Sequence, residues 1–287
     1  MDDGDFKINL TIVGLGLIGG SYAMAFRKVN KGRIWAIDLN ENTLKKAAKK
    51  DIIDEGYSMN NAYIPLKKSD IVIIAIYPEA LIEFVKSNVS NFKKGSIITD
   101  VLGIKGKNID YIQNILGNDA EFLGGHPMAG KELSGFDNAD GAIFKNANYI
   151  LTPTSKNKRE TIDAMRKFVR AIGFKDITEV TPERHDEIIA LTSQLPHVIA
   201  VSLMNSSYVD SSIKHFIGGS FRDATRVARI NPDLWCQLFT KNKDNLLKVI
   251  NDFEDSIDEL KKAIEEGHTD NIKRILEKAS SKKDGII

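Results

Sequence analysis

Ile8-Asn9-Leu10-Thr11-Ile12-Val13-Gly14-Leu15-Gly16-Leu17-Ile18-Gly19 decides how the first half of the chain is read. A short β-rich run passes directly into G-x-G-x-x-G, and Ala23, Met24 and Phe26 then recur at helical spacing. Strand, glycine turn and helix in that order form a dinucleotide-binding unit. Gly14 permits the tight turn, Gly16 lets the main chain approach a pyrophosphate, and Gly19 lets the helix pack on the strand. Leu15, Leu17 and Ile18 complete the turn, and the helix amino terminus offers its N–H groups to negative charge.

Working outward, Arg33-Ile34-Trp35-Ala36-Ile37 closes on Asp38, 19 positions after Gly19, where such a unit sets an acid against the ribose hydroxyls. A carboxylate there repels a 2′-phosphate, and Leu39, Asn40 and Glu41 bring no cation to offset it. NAD is therefore expected over NADP. The competing reading is that Asp38 caps a helix beginning near Asn42.

Three more strands are predicted at Asp70 to Ile76, Ser96 to Val101 and Glu121 to Gly125. Their near-continuous apolar runs suit strands buried on both faces, hence a parallel sheet. The fold class expected is α/β, a Rossmann-type mostly parallel sheet domain over 1–180 followed by an all-α helical domain over 181–287. In open α/β sheets ligands bind beyond the carboxyl ends of the strands. Tyr77, Asp100 to Lys105 and His126 to Gly130 should then line one crevice, with Tyr77 and Asp100 joining the glycine turn and Asp38 in holding the cofactor.

Phe122-Leu123-Gly124-Gly125-His126-Pro127-Met128-Ala129-Gly130 sets one imidazole among residues that shape the backbone. Taken alone it is a histidine in a tight surface turn. Placed past the end of a sheet strand, it is a group able to exchange a proton near neutral pH. Lys131 to Asn146, rich in Gly, Asn and Asp, suits a loop over a site. From Thr181-Pro182 the pattern is helical, with Thr181 as cap and Pro182 in the first turn. Ser193 and His197 lie four apart on one face, and Pro196 should kink the helix between them. By spacing alone His197 reads as a core histidine. Arg222 and Arg226, also four apart, either clamp a carboxylate or form a solvated stripe. Asn231-Pro232 starts a further helix. Leu246, Ile250, Phe253, Ile257, Leu260 and Ile264 then make a narrow apolar seam that needs another helix, from this chain or a second copy.

Lys plus Arg (40) nearly balance Asp plus Glu (39), leaving +1 over 287 residues, which argues against nucleic acid or an acidic membrane as the main partner. The single cysteine, Cys236, excludes an internal disulfide and fits a reducing compartment. No secretory signal follows Met1 and no membrane span is expected, so the location expected is cytoplasmic. No metal site is expected.

Four blocks carry a resemblance over nearly the whole chain: G-L-G-L-I-G-G at Gly14 to Gly20, G-G-H-P-M-A-G-x-E-x-x-G at Gly124 to Gly135, S-Q-L-P-H at Ser193 to His197, and F-R-D-A-T-R-V-A from Phe221. With these the chain resembles the prephenate dehydrogenases of the tyrosine pathway. The resemblance implies oxidative decarboxylation of prephenate to 4-hydroxyphenylpyruvate and CO2, with NAD accepting hydride. It implies that His126 takes the proton of the ring hydroxyl and that Arg226 binds a substrate carboxylate, with Arg222 the second candidate. It places His197 and Ser193 along the substrate or nicotinamide, Glu132 and Trp235 beside them, and suggests a homodimer joined through the helical halves. One departure stands out: the family commonly carries D-x-G-S-x-K, and here Asp100-Val101-Leu102-Gly103-Ile104-Lys105 has Gly103 in place of the serine that helps orient the histidine. Arogenate dehydrogenase, the same chemistry on the amino analogue, remains open. A β-hydroxyacid dehydrogenase is disfavoured by the His126 block, and an NAD-sensing protein without turnover by His126 and Arg226.

Overall fold

Along strand β1 (Leu10–Val13), Leu10 and Ile12 enter one hydrophobic core and Val13 a second, because successive side chains of a strand point to opposite faces. The computed structural model describes residues 7–106, 108–131 and 133–286. β1 leads through the glycine turn into α1 (Leu17–Arg27), then β2 (Ile34–Ile37), α2 (Glu41–Lys49), β3 (Glu55–Tyr57), α3 (Tyr63–Leu66), β4 (Ile71–Ile74), α4 (Pro78–Asn88), β5 (Ser96–Asp100), α5 (Asn108–Leu116) and β6 (Ala120–Phe122). These strands make a six-stranded sheet in the order β3-β2-β1-β4-β5-β6, every pair parallel. The edge strand β3 is not among the strands that the sequence pattern marks.

Alternation sorts the sheet into its two cores. Ile71 and Ile73 of β4 join Tyr22 and Phe26 of α1 on one side, and Val72 and Ile74 join Leu81, Phe84 and Ile112 on the other. The strand order turns back between β1 and β4, so the crevice beyond their carboxyl ends opens beside the glycine turn.

The expected strand from Glu121 to Gly125 is in fact two. β6 ends the parallel sheet at Phe122, and after Leu123 the chain enters β7 (Gly124–Met128), which pairs antiparallel with β8 (Asn148–Thr152). β8 in turn runs parallel to β9 (Ile177–Glu179), closing a three-stranded second sheet, with α6 (Arg159–Ala171) between β8 and β9 in sequence. Two glycines permit the close passage: a Cβ at Gly124 would meet Thr152 Oγ1 at 2.2 Å and one at Gly125 would meet the Tyr149 hydroxyl at 2.1 Å. His126 therefore sits inside a strand, opposite Ile150, and not past the end of one. Pairing on one edge fixes its backbone more firmly than a turn would.

Thr181 accepts a hydrogen bond from Arg184 N–H and Pro182 opens α7 (Pro182–Ile189). The helix continues through a π-helical stretch, Ala190–Gln194, into α8 (Leu195–Met204). Pro196 lacks an N–H and its ring crowds the carbonyl four residues back, so the ladder widens where the sequence predicts a kink. This 23-residue helix reaches a mean hydropathy of 1.4 over 18 residues, long and apolar enough to cross a membrane, which corrects the expectation that no segment is. Its inner face instead buries His185, Asp186 and Gln194 in polar contacts.

α9 (Gly219–Thr225) stops before Arg226, which opens a 3-10 turn, Arg226–Ala228. Arg222 and Arg226 thus do not share one continuous helical face, a correction to the spacing argument. Asn231 caps α10 (Pro232–Lys241) by accepting from Leu234 N–H, and α11 (Lys243–Glu265) and α12 (Thr269–Asp284) follow. Leu246 of the seam is buried, but Ile257 is 47% exposed and Ile264 60%. Ile250, Phe253 and Leu260 are half-buried, so this chain covers the seam only in part.

Candidate active site

Gly14 adopts φ 89°, and a Cβ there would lie 2.5 Å from the Ala75 carbonyl oxygen, so only glycine makes this turn against β4's end. Gly19 brings α1 onto the turn, since a Cβ at 19 would lie 1.9 Å from the Gly14 oxygen. Gly16, by contrast, faces open space, and as N-cap of α1 it offers no side-chain hydrogen bond. The first N–H groups of α1 are therefore left for a ligand, and a helix amino terminus favours an anion.

Asp38 lies beside this turn, where its Oδ2 accepts from Leu15 N–H at 2.6 Å and its Oδ1 from Asn40 N–H at 2.7 Å. The following helix, which Asp38 could have capped, is capped by Asn40, which accepts from the N–H groups of Asn42 and Thr43. Tyr77, half exposed at the end of the β4 segment, accepts from Asn231 Nδ2 at 3.1 Å, and Glu79 N–H donates to Gln237 Oε1 at 3.1 Å. Tyr77 thus marks where α10 meets the sheet.

Asp100 departs from expectation. It is 2% exposed, and its carboxylate turns inward instead of lining the cofactor crevice. Oδ2 meets Lys105 Nζ at 2.6 Å and Leu102 N–H at 3.1 Å, while Oδ1 accepts from Gly125 N–H at 3.1 Å. Lys105 Nζ also donates to the Gly125 carbonyl at 2.6 Å and to that of Leu102 at 2.9 Å. The ion pair so holds Gly125 by both its N–H and its C=O, one residue before His126. Burial lowers the Lys105 pKa, and Asp100 and Asp186 oppose the shift.

His126 Nδ1 lies 2.9 Å from His185 Nε2, with the rings edge-on at 64°. His185 Nδ1 lies 2.7 Å from Asp186 Oδ1. On the other edge of His126, a Cβ placed at Gly103 would lie 3.7 Å from Nε2 and 4.0 Å from Leu238 Cδ2. Position 103 therefore faces the imidazole, and α10 closes over the same notch. Burial, then His185, then Lys105 push the His126 pKa well below its ordinary 6.5. At neutral pH the ring is uncharged and its lone pair is available as a base.

Trp235, one turn before Leu238 on α10, packs against His197 with ring centroids 3.7 Å apart and the planes tilted by 32°. His197 Nδ1–H donates to the Ser193 carbonyl at 2.8 Å, which fixes the ring across the π-helical stretch. The 3-10 turn that Arg226 opens packs on α8, the helix that carries His197. Arg222 is exposed and turns Nε toward the Gly218 carbonyl at 3.4 Å. Ser193, His197, Trp235 and the Arg226 turn are thus gathered on the helical wall, with Arg222 at its edge. Glu132 lies outside the described residues.

The sequence pattern places Lys105 along the crevice but does not reveal its pairing with Asp100, and it does not single out His185 or Asp186, which the structure sets against His126 and the loop after β5. The available signal was spacing: His185 and Asp186 fall between Pro182 and Ile189 on the buried stripe of α7, where polar residues need a reason to be.

Fold and site together define a dinucleotide-dependent dehydrogenase, a parallel-sheet half bearing the glycine turn and a neutral imidazole, roofed by a helical half. Residues 22–178 match the family model "Prephenate dehydrogenase, nucleotide-binding domain" and residues 181–278 match "Prephenate dehydrogenase, dimerization domain". The chain belongs to the prephenate dehydrogenase family. It is 32% identical over 286 residues to a prephenate dehydrogenase of Bacillus subtilis, covering 98% of this chain and 76% of that protein. Among solved structures, prephenate dehydrogenase from Aquifex aeolicus in complex with hydroxyphenyl propionate and NAD+ superposes with a TM-score of 0.88 at 31% identity, covering 98% of each chain. A Synechocystis arogenate dehydrogenase gives 0.82 at 26% identity, covering 97% of this chain and 99% of that one.

Proposed function

We propose that the protein catalyses the NAD-dependent oxidative decarboxylation of prephenate to 4-hydroxyphenylpyruvate and CO2, a step of tyrosine biosynthesis. The observation that carries this reading is the Nε2 edge of a neutral His126 facing the notch at Gly103, between the sheet and α10. Residues present fit the cofactor: the uncapped start of α1 suits its pyrophosphate, and Gly14, Leu15, Gly16, Leu17, Ile18 and Gly19 form the turn around it. The Asp38 carboxylate beside Leu15 N–H suits ribose hydroxyls and disfavours a 2′-phosphate. Bound there, NAD supplies the hydride acceptor.

His126 is the general base. It takes the proton of the ring hydroxyl from the carbon that gives up hydride, and gain of an aromatic ring draws hydride departure and loss of CO2 forward together. The overall reaction releases no net proton, so the proton lent to His126 returns to the phenolic oxygen of the product. A dianionic substrate needs a fixed cation, and Arg226, whose turn packs on α8, is assigned to a carboxylate, with the exposed Arg222 as the second candidate. Trp235 and His197 form an aromatic wall for the ring, Ser193 lies one helical turn away, and Glu132 is assigned to the same pocket on its place in the motif.

In this reading residues 1–180 hold NAD, and residues 181–287 bind substrate and join two copies into a homodimer through the exposed faces of α8 and α11. The single cysteine, Cys236, is a free thiol, which suits the cytoplasm. Arogenate is the second reading, favoured by the likeness to the Synechocystis enzyme. One assay separates them: purified protein, NAD, and either prephenate or arogenate, following absorbance of reduced cofactor. Turnover of prephenate with the higher kcat/KM is expected. A preference for arogenate replaces the substrate, and no turnover of either sinks the assignment.

A further inference from the structure

A neutral imidazole carries one N–H, and its partners decide which nitrogen bears it. At His126 that choice runs back to Asp186. Asp186 Oδ1 accepts from Lys105 N–H at 2.8 Å and Oδ2 from Gly106 N–H at 2.6 Å, and Oδ1 also meets His185 Nδ1. A carboxylate engaged by two backbone donors serves as acceptor, so the hydrogen between it and His185 belongs to His185 Nδ1. Burial pushes the His185 pKa down, so the ring carries that single hydrogen and its Nε2 is a lone pair. Facing a lone pair, His126 Nδ1 has to donate. The lone pair of His126 is thereby left on Nε2, the edge toward Gly103.

We propose that His185, backed by Asp186, is a positioning residue that fixes His126 in its Nδ1–H tautomer and shares the positive charge when Nε2 takes the substrate proton. This rests on the reaction proposed above for the substrate step, but not for the tautomer. His185 and Asp186 come from α7, Lys105 and Gly106 from the loop after β5, and His126 from β7, so one hydrogen-bonded row joins the helical half to the base. Among the described residues the charged groups around it are Asp186, Asp100 and Lys105. The two carboxylates favour a transient cation on the histidine pair and the Lys105 ammonium opposes it. When His126 becomes doubly protonated, its Nδ1–H still points at His185, whose far edge rests on Asp186. The row also assigns Asp186 a second duty, since its oxygens hold the loop containing Gly103 in place. With glycine where relatives carry a serine, support for His126 comes from behind the ring and leaves the front edge to the substrate.

Two substitutions separate positioning from mere packing. His185→Asn ends short of His126 and removes the acceptor, whereas His185→Gln can carry an amide oxygen to the place of Nε2. For His185→Asn, kcat for prephenate should fall about 10²-fold with KM changed less than about threefold, and His185→Gln should recover most of the loss. The acid limb of kcat/KM should also move in His185→Asn. The second measurement needs no variant to fold and no turnover: 15N-detected imidazole spectra of the full-length parent, which should show hydrogen on His126 Nδ1 and a bare Nε2. Hydrogen on Nε2 in the parent overturns the proposal, as does His185→Asn with parental kcat and pH profile. A parent that shows the expected tautomer but turns over neither prephenate nor arogenate supports the hydrogen-bonded row and overturns the substrate reading.

Discussion

In the sheet half, Tyr22, Phe26, Phe144 and Phe168 pack ring against ring, with centroids 4.7 Å apart for Tyr22 and Phe144 and 4.9 Å for Phe26 and Phe168. In the helical half, Tyr208 is 87% exposed and Phe216 88%, and α8 and α11 keep Leu203, Leu247, Ile257 and Ile264 at the surface. The first half buries its apolar surface within one chain. Among its described residues the second buries few large apolar side chains, Ile189, Leu195, Leu238 and Leu246, and adds polar ties such as Asn242 Nδ2 to the Asp186 carbonyl at 2.9 Å and to Gln194 Oε1 at 2.8 Å. Exposed apolar faces of this extent mark an interaction surface. In the function proposed above, this contrast becomes a division of labour: the half with the ring-packed core would hold cofactor and base, and the half with exposed apolar faces would supply a substrate wall that a second copy completes.

The contrast breaks first at the base. His126→Asn should lower kcat by about 10²- to 10⁴-fold while leaving NAD affinity, measured by titration calorimetry, close to parental. Parental kcat would move the chemistry out of the sheet half. The same residue sets a pH dependence: kcat/KM should drop on the acid side as His126 protonates, at a value below the ordinary 6.5. A histidine whose folded pKa is depressed contributes stability above its unfolded value that is lost as pH falls through the folded one. The parent should accordingly unfold more readily in acid, and His126→Asn should lose part of that dependence.

Next in size is Lys105→Met, which leaves Asp100 buried and unpaired and releases the Gly125 carbonyl. Breaking a buried pair on one side costs about 3–5 kcal/mol, readable as a shift of the urea midpoint. A loss under about 1 kcal/mol, the range of surface pairs, would show that the pair does not anchor β7. In the helical half, Ile257→Asp with Ile264→Asp should forfeit about 1.5–3 kcal/mol of association per side chain. Light scattering should then report a smaller species that still binds NAD. An unchanged mass would place the contact elsewhere than on the seam. The smallest effect is expected of Gly103→Ser. The Cβ fits, and a hydroxyl donating to His126 Nε2 is worth about 0.5–1.5 kcal/mol, so kcat should change by less than about tenfold. A larger fall would mean that the notch itself has to stay open for substrate.

Local and periodic features are legible in the sequence. The strand runs at Leu10, Ile34, Ile71 and Ser96, the glycine turn, the caps at Thr181 and Asn231, and the disturbance near Pro196 all follow from residue type and spacing. What escapes is long-range. Glu121 to Gly125 reads as one strand because no local signal separates a strand that ends from one that changes sheets. Asp100 reads as a ligand residue because its partner Lys105 is visible in sequence but the inward turn of both is not. His185 meets His126 across 59 positions, and Asp186 meets Lys105 N–H across 81.

Residue type and spacing were enough to show the glycine turn between strand and helix, to lead to the expectation of NAD from Asp38, and to single out His126 as the candidate for proton exchange. The sequence also flagged that the usual serine is missing at Gly103. Only the tertiary structure shows what lies against that histidine, His185 at its Nδ1 edge and position 103 at its Nε2 edge. Hydrogen-bond direction in a buried row depends on every partner at once, and here those partners arrive from β7, from the loop after β5 and from α7 only when the two halves have closed on each other.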